Sequence, residues 1–225
     1  MGIQERKERE KEQRREEILN AAQKVFFEKG LQLATMDEIA EAAELSKGTL
    51  YLYYKSKEDL YLAVLVQGME TLRGMFAKAT STDQPTVERI KNLGTAYSDF
   101  FDSHRHYFRM FSFFEHPEFH KQVSSEMLNA CAVENQKIWK LVVDLLDKGI
   151  KEGVLRTDLD PAEMAVMLWI SLSAILVRID NQCDDFKNRL NVDLRDLYRK
   201  SSDLFLESLM TQEAKQKFGL AVFGR

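Results

Sequence analysis

The sequence predicts an all-α protein in which an N-terminal three-helix domain with a helix-turn-helix precedes a C-terminal helical bundle. Three observations predict it. Apolar residues recur at spacings of three and four along the chain, while alternating β-branched runs are absent. Only three prolines occur, Pro85, Pro117 and Pro161, and each stands where a helix should begin. The stretch 35–57, TMDEIAEAAELSKGTLYLYYKSK, spells two short helices joined by a tight turn.

The elements follow in order. Residues 4–17 alternate glutamate with lysine or arginine at helical spacing, which predicts a solvated, charged extension leading into the first helix. That reading is preferred over one in which Arg6, Lys7, Arg9 or Lys11 touches the DNA backbone. Gly30 closes this helix as a C-cap. Thr35 and Glu38 then form a capping-box pair. Met36, Ile39, Ala40 and Ala43 behind them put one narrow apolar face on a two-turn helix. Glu44-Leu45 breaks the rhythm, and Ser46 caps a third helix running through Tyr54. Leu50 and Tyr54, four apart, point inward. The opposite side carries Gly48, Thr49 and Leu52, flanked by Lys47, Tyr51 and Tyr53. From Leu45 to Lys57 there are three lysines and no acid, so the second helix of the pair is basic and aromatic, as in a DNA-reading helix.

A fourth helix runs from Lys57 towards Ala79, and the polar segment 80–85 is the clearest break. Later helices are predicted near 86–103, 105–114, 119–152, 161–181 and 193–211, with a short terminal one in 212–225. Asp160-Pro161-x-Glu163 combines a cap, a first-turn proline and a capping-box acid, so a helix starts there.

At 225 residues, 44% hydrophobic and 30% charged, the chain is long enough to bury a sizeable core in one or two domains. The net charge of −4 means that DNA affinity must come from a local basic patch, which the 45–57 lysines supply. Two cysteines, Cys131 and Cys183, make no disulfide framework and fit a reduced cytoplasmic interior. The charged residues 5–17 are no signal peptide. The longest apolar run, Met164 to Val177, is broken by Ser171 and Ser173 and falls short of the ~20 residues of a membrane span, so no membrane partner is expected.

Ile18-Leu19-x-Ala21-Ala22, Phe26-x-x-x-Gly30, Thr35-Met36-x-x-Ile39-Ala40 and Ser46-Lys47-Gly48-Thr49-Leu50-Tyr51-x-Tyr53-Tyr54-Lys55-x-Lys57 resemble the N-terminal domain of the tetracycline-repressor (TetR) family. The match covers residues 12–72, with the motif at about 34–53. Tyr54 departs from the phenylalanine usual there, and its hydroxyl needs a partner or water. Residues 73–225 resemble the family only in being all-helical, and the resemblance implies that they form a ligand-binding and dimerisation domain.

The DNA-binding candidates are Thr35, Met36, Ser46, Lys47, Gly48, Thr49, Tyr51, Leu52, Tyr53, Lys55 and Lys57. Thr35 and the first-turn N–H groups of the second helix suit a phosphate. Lys55 and Lys57 suit neighbouring phosphates. Lys47 suits guanine O6 and N7, and Thr49 and Leu52 suit thymine methyls. Gly48 permits close approach. Tyr51 and Tyr53 match aromatic DNA contacts that the resemblance implies; the plainer alternative is that they cover the domain's core.

Beyond residue 60, aromatics concentrate between Tyr97 and Phe114. Composition alone favours packing; the resemblance implies an effector pocket, for which the candidates are Tyr97, Phe100, Phe101, Phe108, Arg109, Phe111, Trp139, Trp169 and Arg178. From Met164 to Val177 apolar residues occupy every face, so that helix must be buried on all sides, half of it against a partner. With the stripe Leu194, Leu197, Tyr198, Leu204, Phe205 and Leu209 it makes a four-helix homodimer interface, as the resemblance implies. Its candidates are Met164, Met167, Leu168, Ile175, Leu197 and Phe205. A two-fold dimer would read both halves of a palindromic operator in double-stranded DNA.

Four histidines, His104, His106, His116 and His120, cluster, but no carboxylate or cysteine set joins the His116/His120 pair. No phosphate loop, dinucleotide fingerprint or nucleophile elbow occurs. The expectation is therefore a cytoplasmic transcriptional regulator without enzymatic activity, metal or cofactor. It would be a repressor released from its operator by a small apolar or aromatic effector, with residues 57–79 as the lever. An activator, a partner-sensing regulator, a ligand-binding module with a vestigial head, and an enzyme on a helical bundle are the alternatives.

Overall fold

A computed structural model of the chain describes residues 2–114 and 117–218. The described residues form helices α1 (Ile3–Leu33), α2 (Met36–Ala42), α3 (Lys47–Tyr53), α4 (Lys57–Thr80), α5 (Thr86–Ser103), α6 (Arg105–Phe114), α7 (Pro117–His120), α8 (Ser125–Lys151), α9 (Pro161–Leu190), α10 (Leu194–Leu209) and α11 (Gln212–Phe218). Extended pairing among them is limited to one isolated bridge between Leu155 and Met210. The protein is all-α.

Local chemistry sets the boundaries. At Gly30 the backbone leaves the helical region for φ 70°, ψ 172°, a conformation open to glycine, before helical pairing resumes to Leu33. Thr35 Oγ1 accepts the Glu38 N–H at 3.2 Å, while the Glu38 carboxylate accepts the Thr35 N–H at 3.0 Å. Asp160 and Glu163 close the same reciprocal box, and Pro161 opens α9. Two boundaries differ from the sequence pattern. The predicted 119–152 helix is divided, with α7 ending at His120 and α8 starting at Ser125. Ser124 makes the division: its hydroxyl accepts the Met127 N–H, and its own N–H donates to the buried Asp59 carboxylate at 2.8 Å. The predicted 161–181 helix runs on to Leu190, with a break at Gln182 (φ −143°), and is closed by Asn191 in the left-handed region (φ 51°).

Two compact units arise, Met1–Thr71 with His104–Asn135, and Leu72–Ser103 with Gln136–Arg225. In the first, Ile18, Ala22 and Phe26 of α1 are buried with Ile39, Leu50, Leu60, Leu62 and Leu65. Phe26 meets Tyr61 edge-on, with ring centres 5.2 Å apart. Gln23 donates to Tyr107 Oη at 2.5 Å, and Phe27 stacks on His106 at 4.6 Å. A Cβ at Gly68 would lie 2.6 Å from the Tyr107 ring, so this glycine serves close packing; Gly74 has open space.

In the second unit, α5 buries Val87, Ile90, Leu93, Phe100 and Phe101 among Leu146, Leu155, Met164, Leu172, Leu176, Tyr198 and Leu206. Tyr198 Oη donates to the Gly94 carbonyl at 2.8 Å, and Arg195 pairs with Asp102 at 2.7 Å. Among the described residues, α9 is the one helix long and apolar enough to cross a membrane by length and composition, with a mean hydropathy of 1.8 along its most apolar stretch, of which 28% is buried. The same length and composition suit a helix that pairs with another protein surface.

Cys131 is buried with its Sγ 3.9 Å from the Leu62 carbonyl, and burial pushes its thiol up to about 12; Cys183 is half-buried. The thiolate is the reactive form, so a thiol reagent near neutral pH is expected to label Cys183 well before Cys131. Equal labelling rates in the native protein would overturn this burial of Cys131.

Candidate nucleic-acid interface

The turn between α2 and α3 is built by backbone bonds. Leu45 N–H donates to Ala40 O at 2.9 Å and Glu44 N–H to Glu41 O at 3.0 Å, with Glu44 left-handed at φ 54°. This pair of bonds is the Schellman closure usually given to glycine. Ser46 Oγ then accepts the Thr49 N–H at 3.1 Å and starts α3. Leu50 and Tyr54 lock α3 inward onto Ile39, Ala40 and Met36, all buried.

What α3 leaves outside is mixed. Leu52 is 84% exposed and Tyr51 45%, beside exposed Lys47, Gly48 and Lys55 and half-buried Thr49 and Tyr53. A leucine that bare gains nothing from the chain's own core. Lys47 Nζ rests 2.8 Å from Asp37 Oδ2, and this hydrogen bond, with the attraction of the same carboxylate, raises the lysine's pKa. Both groups are exposed, and an exposed ion pair contributes little, so Lys47 can exchange Asp37 for another acceptor. Thr49 Oγ1 lies 2.8 Å from Ser46 Oγ. Lys57 donates to the Ala34 carbonyl at 2.9 Å, which ties the start of α4 to the entry of α2. Thr35 is exposed, and the Glu38 that caps with it also pairs with Lys29 at 2.7 Å; these bonds lower the carboxyl pKa, Lys29 contributing most.

Tyr54 caps the C-terminal end of α3. Burial pushes its hydroxyl up to about 12, with the nearby Arg15 pulling it down and Glu12 pushing it up. Sequence reasoning missed Asp37, Ala34 and Glu44 as parts of this site. Asp37 and Ala34 act across chain separations that no local pattern reports, and Glu44 lacks the glycine or asparagine that would mark its backbone.

The effector candidates fall in different surroundings. Phe108 is buried, Phe111 half-buried and Arg109 exposed in the unit that holds α1. In the other unit Phe100 and Phe101 are fully buried, Tyr97 Oη lies 2.8 Å from Ser173 Oγ, and Trp139 meets Trp169 edge-on at 5.7 Å. Arg178 is exposed and donates to Gln182. Of the pairing candidates, Met164 is buried, Leu168, Ile175 and Phe205 half-buried, and Met167 and Leu197 exposed. Among the histidines, His106 stacks on Phe27 and His120 on Phe114, with His120 Nε2 donating to the Phe114 carbonyl at 2.7 Å. His116 lies outside the described residues.

Residues 18–64 match the profile of the bacterial regulatory proteins, tetR family. The HTH-type transcriptional repressor KstR2 of Mycolicibacterium smegmatis is 29% identical over 147 residues, which is 65% of this chain and 70% of KstR2. The HTH-type transcriptional activator FasR of the same organism is 37% identical over 92 residues, 41% of this chain and 42% of FasR. The fold of the transcriptional regulator FadR from Bacillus subtilis, solved in complex with stearoyl-CoA, superposes with TM-score 0.66 at 17% identity, covering 84% of this chain and 96% of FadR. The matched segment contains the capped α2, the Schellman turn and the exposed basic and aromatic side of α3, and in this segment the chain is similar to the tetR family of bacterial regulatory proteins.

Proposed function

We propose that this protein is a cytoplasmic transcriptional repressor, without enzymatic activity, whose paired α3 helices read a palindromic operator and let go when a small apolar or aromatic effector binds. The observation that carries the proposal is the exposed side of α3, where Leu52 and Tyr51 stand bare between Lys47 and Lys55. Apolar and aromatic groups flanked by cations suit thymine methyls, base edges and phosphates. In this reading residues 12–72 form the DNA-reading domain and 73–225 the effector-binding and pairing domain. The exposed α9 residues Val166, Met167, Trp169 and Ile170, with Leu197 and Leu204 of α10, support pairing with a second copy. The stearoyl-CoA held by FadR supports an apolar effector. The activator FasR supports a second reading, in which the same head raises transcription; a reporter driven by the operator separates the two by the sign of its response.

Fluorescence anisotropy on operator and scrambled duplexes, across a salt series and with a panel of lipophilic compounds, tests the proposal. Lys55→Ala is expected to weaken binding to both duplexes and flatten the salt slope by roughly 0.9 for each phosphate that the variant leaves without a cation. Lys47→Ala is expected to relax base preference by about 1–3 kcal/mol. At least one apolar compound is expected to lower operator affinity. Equal affinity for operator and scrambled DNA in the wild type, or slopes unchanged by Lys55→Ala, would overturn the assignment.

A further inference from the structure

We propose that Asp37 of α2 and Lys47 of α3 read one G·C base pair of each half-site as a unit, with Lys47 donating to guanine and the Asp37 carboxylate accepting from cytosine N4. The inference rests on the DNA-reading function proposed above and adds to it a residue outside α3 that sets base preference. The pair is built across the turn between the two helices. Lys47 Nζ stands 2.8 Å from Asp37 Oδ2, and both side chains are exposed. An ion pair this open to water adds little to stability, so the fold gains almost nothing from it. Glu38, the other acid in the first turn of α2, is engaged elsewhere, accepting the Thr35 N–H and pairing with Lys29. Residues 45–57 hold no acid, so the carboxylate that meets Lys47 comes from the neighbouring helix.

Charge, spacing and bonding capacity all suit the major-groove edge of a G·C pair. A lone carboxylate is repelled by phosphates, whereas one neutralised by a lysine carries no net charge into the groove. Guanine O6 and cytosine N4 are hydrogen-bonded to each other, so an acceptor and a donor stand about 2.9 Å apart on that edge. The 2.8 Å between Nζ and Oδ2 presents a donor and an acceptor at the same separation. An ammonium has several donors and a carboxylate several acceptor sites, so each can hold the other and a base together. Lys47 therefore need not release Asp37 in order to bind. The order of donor and acceptor then sets the preference. Inverting the pair to C·G turns the N4 donor on the lysine and the O6 acceptor on the carboxylate, and both are repelled. A·T is inverted in the same sense. T·A keeps the order, with O4 beside N6, but puts a methyl group where guanine offers N7 as a second acceptor for Lys47.

The test selects duplexes from a randomised pool with the full-length wild type, then measures the selected site with each base pair substituted in turn, for the wild type, Asp37→Asn, Lys47→Ala and the double variant. Asparagine matches aspartate in size and can donate as well as accept, so it tolerates either orientation of the base pair. The wild type is expected to prefer G·C at one position of each half-site and to lose on the order of 100-fold in affinity when that pair is inverted, against about tenfold for Asp37→Asn. Preferences at the other positions are expected to stay as in the wild type. Adding Asp37→Asn to Lys47→Ala is expected to change the preference little, because residues that act as a unit are not additive. If Asp37→Asn binds every duplex more tightly with the wild-type preferences intact, Asp37 is a repelling charge only, and the proposal is overturned while operator reading by α3 stands. A preference that depends on Asp37 at a pair other than G·C overturns it in the same way. Wild-type protein that enriches no sequence from the pool overturns the DNA-reading function and this pair with it.

Discussion

Ile170→Glu is expected to leave the chain folded and to separate it into monomers that bind the operator far more weakly. In the single chain Ile170 is 55% exposed, next to Val166, Met167 and Trp169 at 40%, 52% and 40%. A glutamate there projects into water, and substitutions at such positions change stability within about 0.5 kcal/mol. In a two-fold pair the same position would carry the carboxylate into an apolar interface from both sides, because each residue of an isologous contact meets the partner's surface twice. A buried charge without a partner costs several kcal/mol. Loss of pairing also removes the second head from the operator, and linked binding of two heads is worth roughly 10²–10⁴ in affinity. Light scattering at micromolar concentration, circular dichroism and an operator titration read the three parts. A variant that stays paired, or a wild type that is already monomeric, removes the homodimer from the proposed function. The measurement also decides what α9 is for, since a membrane span would leave the wild type aggregated in the absence of detergent.

The second large effect is expected at the centre of α5. Phe101→Ala should destabilise the protein by about 3–5 kcal/mol, the range for deleting a fully buried phenylalanine from a close-packed interior. Phe100 and Phe101 are both fully buried, and consecutive helix positions point about 100° apart, so α5 is enclosed on a broad side. Trp169→Ala should cost under about 1 kcal/mol at a site this open, since its side chain is 40% exposed and its aromatic partner is Trp139 at 5.7 Å. Urea unfolding of the two variants gives the comparison. A loss below about 1 kcal/mol at Phe101 would mean that the ring borders empty space that can collapse, and would favour its role in an effector cavity over a role in the core.

How much of the fold and of the reading head is legible in the sequence depends on whether the determinant is local. Thr35 with Glu38, and Asp160 with Glu163, announce two helix starts because a capping box lies within four residues of chain. Gly30 announces its left-handed break because glycine alone adopts it readily. The inward pair Leu50 and Tyr54 can be read from spacing alone and leaves α3 with an outer side to interpret. Ser124 is harder. Its division of α7 from α8 is held by Asp59, far away in the chain, and periodicity through 119–152 gives no sign of that partner. The extension of α9 past Gln182 is hidden because residues 180–190 are mostly polar and carry little apolar rhythm. From spacing, Lys47 looks free to reach guanine, whereas Asp37 already holds it; no spacing rule links residues on two different helices. Nor does any spacing rule say that the segment His104–Asn135 folds with the first seventy residues, since that rests on meetings such as Tyr107 with Gly68 and Gln23.

The two bonds at the start of α4 have a mechanical consequence. Lys57 holds the Ala34 carbonyl and Asp59 holds the Ser124 N–H, at 2.9 and 2.8 Å, on either side of a single turn. A rod fastened by one such bond can pivot or slip. Fastened by two that grip different neighbours, it keeps its bearing and has no slack to take up. Between Lys57 and Thr80 it has no internal break either. Within its own unit the start of α4 is therefore fixed to the entry of α2 and to the start of α8, two residues from Lys55.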